Sequence, residues 1–89
     1  MRKYYIEMSD IQSEEYVFQS KWFKTPRTAE KWLAENVDYI DFVNLYVNIL
    51  YADFDEDENY DDIKRHSYID GHIFANLKEK YRKGEKNND

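Results

Sequence analysis

The chain has no cysteine, one proline, two glycines and no long run of apolar residues. Without cysteine there is neither a disulfide framework nor a thiolate metal site, which fits a reducing compartment, and the expected location is the cytoplasm. Without an apolar stretch of about 20 residues nothing reads as a membrane span. The start, Met1-Arg-Lys-Tyr-Tyr-Ile-Glu7, has two cations but no apolar run behind them, so it does not read as a signal segment either. No glycine-rich phosphate loop is present, which removes one common nucleotide-binding device. No cofactor is expected.

What the chain does have is aromatic side chains and charge. Among its 89 residues are nine tyrosines, five phenylalanines and two tryptophans. A chain of this length buries only roughly 60 % of its extended surface, and each large ring contributes about 150–250 Å² of that, so aromatics must supply much of the core. The net charge is -6, from 19 acids and 13 bases. Seven of those acids lie between Asp53 and Asp62 with no base among them, which leaves 12 acids against 13 bases elsewhere. The acidity is therefore local. Lys, Asn, Ile and Tyr are frequent while Gly, Ala, Pro and Arg are scarce, a composition that fits an AT-rich genome and points to a phage or mobile-element accessory protein.

The organising stretch is Phe42 to Asp62. Val43, Leu45, Val47, Ile49 and Tyr51 fall on one side of an extended chain, and Asn44, Tyr46 and Asn48 on the other, the period of two expected of a half-buried strand. The carboxylates that follow repel one another and would lose hydration if buried, so they must form a loop in water. Ahead of this stretch, Lys3–Met8 and Tyr16–Phe23 alternate as two strands of a hairpin, the second with Tyr16, Phe18 and Trp22 on one face. Thr25-Pro26 marks a helix start, since threonine accepts a bond from a free N–H and proline has no N–H to leave unpaired. Ala29, Trp32, Leu33 and Val37 then recur at helical spacing, and Asp38–Asp41 leads into the long strand. After the acidic loop, Ile63–Ile69 reads as a fourth strand, and Asp70 caps a helix with an Ile73, Phe74, Leu77 and Tyr81 stripe. Lys80, Arg82 and Lys83 fall in its last turn, Gly84 is its stop, and residues 85–89 read as a disordered polar tail. The expected fold is α+β: one domain over residues 1–84, a four-stranded antiparallel sheet in ββαββα order with strand order 2-1-3-4 and both helices on one face.

Catalysis finds little purchase. Asp53, Asp55, Asp57, Asn59 and Asp61 alternate like the opening of a calcium loop, but the sixth and twelfth positions hold Glu58 and Lys64 where glycine and glutamate are needed. His66 and Ser67 are adjacent in a strand and so point to opposite faces, which denies them a shared hydrogen bond. His66, Asp70 and His72 have irregular spacing for a metal site. The chain is thus expected to be a non-enzymatic protein-binding module. The sharper expectation is that Asp53, Phe54, Asp55, Glu56, Asp57, Glu58, Tyr60, Asp61 and Asp62 form a DNA-mimicking loop that occupies the basic surface of a nucleic-acid-handling protein, with the two rings supplying apolar contact. The alternatives are a homodimer or interaction domain using an open sheet face through Asn44, Tyr46 and Asn48, or a weak single-stranded nucleic-acid binder that stacks bases on its tyrosines. The local charge of -7 opposes the last, because binding nucleic acid draws on phosphate neutralisation.

Overall fold

The computed structural model describes residues 1–82. Three assignments made above, Lys83 in the last helical turn, the Gly84 stop and the tail over 85–89, lie outside the described residues. The elements are β1 (Arg2–Asp10), β2 (Tyr16–Gln19), α1 (Pro26–Asn36), α2 (Tyr39–Phe42), β3 (Leu45–Asp53), β4 (Lys64–Tyr68) and α3 (Gly71–Lys80). The strands form one antiparallel sheet in the order β2-β1-β3-β4, the expected order. No helix among the described residues is long and apolar enough to cross a membrane.

The β1–β3 register explains which way the sheet faces. Tyr4 lies across from Tyr51, Ile6 from Ile49 and Met8 from Val47, so apolar pairs stack on the side covered by the helices. Ile6, Val47 and Ile49 are fully buried there with Leu33 of α1 and Phe74 of α3. Each such side chain contributes about 1.5–3 kcal/mol of burial free energy. The two helices are held at their N-termini as the sequence predicts. Thr25 Oγ1 accepts from the Thr28 N–H at 3.1 Å with Pro26 in the first turn, and Asp70 Oδ1 accepts from the Ile73 N–H at 2.8 Å.

Several boundaries differ from the sequence reading: β1 extends to Arg2 and Asp10, and α3 ends at Lys80, so that Arg82 lies past its last turn. The long strand begins at Leu45, because Tyr39–Phe42 is a turn of helix. The reason is Phe42: in an extended chain it shares parity with Asn44 and Tyr46 and would point away from the core. A helical turn instead brings Tyr39 and Phe42 onto one side. Phe42 stacks on Phe74 with ring centroids 4.0 Å apart, and Tyr39 meets the same ring edge-on at 5.3 Å. The second strand stops at Gln19, and only Phe23 returns to the sheet, through an isolated bridge to Tyr4. Phe18 therefore lies on the helix side, stacked on Trp32 at 5.3 Å, while Trp22 lies on the opposite side against Tyr5, so the two do not share a face. The fourth strand is Lys64–Tyr68, with an irregular register opposite Ile49 and Leu50.

Candidate functional site

Tyr5 alternates with Ile6 and so points away from the helices, yet it is only 4 % exposed. What covers it is an aromatic cluster built from the chain's own connections. Trp22 meets Tyr5 edge-on at 4.8 Å, Phe54 meets Trp22 at 4.9 Å and 89°, and Tyr60 packs 4.9 Å from Phe54 and 5.6 Å from Trp22. Lys3 Nζ lies 4.7 Å from the Phe54 ring centre, a cation–π contact. Burial pushes the Tyr5 phenol pKa up, and the neighbouring Glu7 charge adds to it. The rings that bracket the acidic segment in sequence thus brace it in space.

The loop between β3 and β4 is tied down along its backbone as well. Phe54 donates its N–H to the Met1 carbonyl at 2.8 Å. The Asp55 N–H donates to the Asn59 carbonyl at 2.9 Å, and the Glu58 N–H donates to the Asp55 carbonyl at 3.1 Å. Asp55 Oδ1 accepts from the N–H groups of Asp57 and Asn59, at 2.9 and 3.0 Å. This side chain organises the turn by imitating a backbone carbonyl. Glu58 sits at φ 65°, in the left-handed region that a tight turn here requires of a non-glycine residue.

The charges divide into two sets. Asp53 takes a two-pronged bond from Arg2, at 2.8 and 3.2 Å, and Glu58 pairs with Lys3 at 3.0 Å. The Arg2 hydrogen bond holds the Asp53 carboxyl below the usual carboxylate range, with the guanidinium charge adding to the effect. Asp55, Glu56, Asp57, Asp61 and Asp62 are exposed and make no ion pair among the described residues. These five stand at one end of the sheet, where Lys64 lines the same shallow hollow as Asp61 and Asp62.

Of the alternative site residues, Tyr46 and Asn48 lie on the sheet face away from the helices, across from Ser9 and Glu7. Tyr46 neighbours Tyr68 at 6.5 Å, each about two-fifths exposed, and Arg65 Nη1 donates to Asn48 Oδ1 at 3.3 Å. Asn44 does not join them. It sits in the turn before β3, its amide donating to the Ile40 carbonyl at 3.4 Å and its own carbonyl accepting from the Ile11 N–H at 3.0 Å. Elsewhere, His66 packs edge-on to Tyr4 at 5.4 Å, and the Asp70 carboxylate caps α3. Among the described residues no three His, Asp or Glu side chains gather as a metal site would require.

Sequence reasoning missed Trp22 and Tyr5 as parts of this site. The available signal was that Tyr5 is out of phase with Ile6 and Met8 and so needs cover from elsewhere in the chain. No family model, no curated protein and no solved structure matches the chain.

Proposed function

We propose that the protein is a non-enzymatic binding module that engages the basic, nucleic-acid-handling surface of another protein through the loop Asp53–Asp62. The observation that carries this reading is the combination of five exposed carboxylates that make no ion pair among the described residues with a braced backbone. A flexible acidic segment would have to be ordered on binding, at about 1–2 kcal/mol of backbone conformational entropy per residue. Here the hydrogen bonds of Asp55 and the aromatic cluster have met much of that cost in advance. The rings of Phe54 and Tyr60 serve mainly as the platform, and the partner meets carboxylates together with the exposed part of Tyr60, which is 41 % accessible. The AT-rich composition supports an origin in a phage or mobile element, where such a module would act on a host protein.

A second reading rests on the open sheet face, where Tyr46 and Tyr68 lie side by side with Asn48 and Arg65 between the strands. The two readings separate in one experiment, affinity capture from a bacterial lysate at low and high salt. The baits are the natural protein, the variant D55N/D57N/D61N/D62N, and Tyr46→Ala. Asparagine keeps the acceptor oxygen that Asp55 uses to hold its turn, so the fourfold variant removes charge without removing the brace. Basic nucleic-acid-binding proteins should be retained by the natural bait and lost with the fourfold variant. They should also be released as the screening length falls from about 10 Å at 0.1 M salt to about 3 Å at 1 M. Capture indifferent to salt and to the fourfold variant, but lost with Tyr46→Ala, would overturn the loop reading in favour of the sheet face.

A further inference from the structure

The end of the sheet opposite the acidic loop is built from three stretches: residues 9–15 leaving β1, residues 36–46 running through α2 into β3, and residues 68–73 from β4 into α3. They meet there, since the Ile11 N–H donates to the Asn44 carbonyl at 3.0 Å and Tyr39 rests edge-on against the Phe74 ring. Ile11, Tyr39, Val43, Tyr68 and the buried Phe74 line a hollow of about 320 Å³. Beside it Ile40 is 80 % exposed and Val43 66 %, and their spacing of three sets both on one side of the helical turn. A contiguous apolar patch of this kind marks a surface that is covered in use. The same three stretches contain Asp10, Glu14, Glu15, Asp38, Asp41 and Asp70 but no lysine or arginine, and His72 is their one imidazole. None of the six carboxylates makes an ion pair among the described residues. Lys78, whose ammonium lies 6.0 Å from the Tyr39 ring centre, donates to the Ala34 carbonyl at 2.8 Å.

We infer that this end is a second docking surface, independent of the loop Asp53–Asp62, and that its occupant is a helix of another protein with an apolar stripe flanked by lysine or arginine. Charge decides against a second copy of this chain. Two-fold pairing here would set the same six carboxylates against one another in copies that each carry a net charge of -6. An apolar centre with an acidic, base-free rim is the complement of an apolar stripe with a basic rim. The walls of the hollow are side chains from a loop, a helical turn and a strand, so a visitor gains side-chain contact there rather than strand pairing. A helix satisfies its own backbone groups and presents side chains alone, two or three of which enter the hollow while flanking cations meet the exposed Asp38 and Asp41. So small a contact falls near or below the roughly 1,000 Å² of a stable interface, and the complex is weak, with a dissociation constant on the order of 100 µM.

Two-dimensional ¹H–¹⁵N spectra test this, with a leucine–lysine peptide of about 14 residues, patterned for one apolar stripe, as the probe. The amides of Ile11, Ile40, Val43 and Tyr68 should shift saturably, alike in the natural protein and in D55N/D57N/D61N/D62N. Ile40→Asp and Val43→Asp, at exposed positions, should leave the circular dichroism spectrum unchanged and weaken binding about tenfold or more. A scrambled peptide of the same composition, without the stripe, should bind far more weakly. Shifts confined to Asp55–Asp62 and lost in the fourfold variant would overturn the second surface while sparing the loop reading. Shifts at Ile40 and Val43 on concentrating the protein alone would assign the patch to a second copy, and equal binding of the scrambled peptide would reduce it to charge alone. Either result overturns the inference, as does an unmoved spectrum at about 1 mM peptide.

Discussion

Replacing Trp22 with alanine isolates the brace beneath the acidic loop. Its indole contacts Tyr5, Phe54 and Tyr60 at ring-centre distances of 4.8, 4.9 and 5.6 Å. Each such aromatic pair contributes about 0.5–1.5 kcal/mol beyond area burial. A fully buried Trp→Ala change costs about 3–5 kcal/mol, and Trp22 is partly exposed, so a loss of about 2–3 kcal/mol is expected. For a domain of this size that is a fall in melting temperature of about 10–20 °C. Thermal unfolding followed by far-UV circular dichroism measures the global term. Amide hydrogen exchange at Asp57, Glu58 and Asn59, whose N–H groups are all held by Asp55, measures the local one. Protection at these amides should drop by more than the global loss explains, while exchange in α1 and α3 follows global stability. Trp22→Phe should recover part of both effects. A melting temperature within 2–3 °C of the natural protein, about 0.5 kcal/mol, together with unchanged loop protection, would refute the idea that the cluster holds the loop.

Other expectations follow from the same contacts. Thr25→Ala removes the acceptor for the Thr28 N–H and should cost about 1 kcal/mol, read as a shift in the denaturation midpoint without a change in m-value. The Arg2–Asp53 pair gives stability an acid-side dependence. Because the folded Asp53 carboxyl titrates below its unfolded value of about 3.9, its contribution is complete above that pH and disappears as pH falls through the lower folded value. The melting-temperature gap between the natural protein and Asp53→Asn should therefore be open at pH 7 and closed well below pH 4. Tyr5 acts in the opposite range. Its raised phenol pKa means that stability is retained below about pH 10 and lost as pH rises through the folded value, so Tyr5→Phe should unfold less readily in alkali.

Much of the architecture was legible because the local signals agreed. The alternation at Leu45, Val47 and Ile49, the Thr25-Pro26 start and the Asp70 cap each point the same way, and the strand order followed from hairpins and one helical return. The failures share one physical cause, which is that periodicity does not reveal where an alternating run leaves the sheet. Phe42 and Val43 extend the pattern of β3 on paper, but the Phe74 ring draws Phe42 into a helical turn. Trp22 continues the pattern of β2, yet the strand has already ended and the indole crosses to the other face. In the acidic loop, the exposure of the carboxylates was evident from their mutual repulsion. The brace was not, because Arg2, Lys3, Tyr5 and Trp22 reach Asp53, Phe54, Glu58 and Tyr60 only once β1 pairs with β3.

The central claim is that residues Phe54–Tyr60 are held as firmly as the strands they join, so that the exposed carboxylates of Glu56 and Asp57 stand on a backbone that is already ordered. Backbone ¹⁵N relaxation of the unbound protein tests it without a partner. Order parameters of about 0.85 across Asp55–Asn59, level with β1 and β3, are predicted. Values below about 0.6 in that segment, beside rigid strands, would contradict the account.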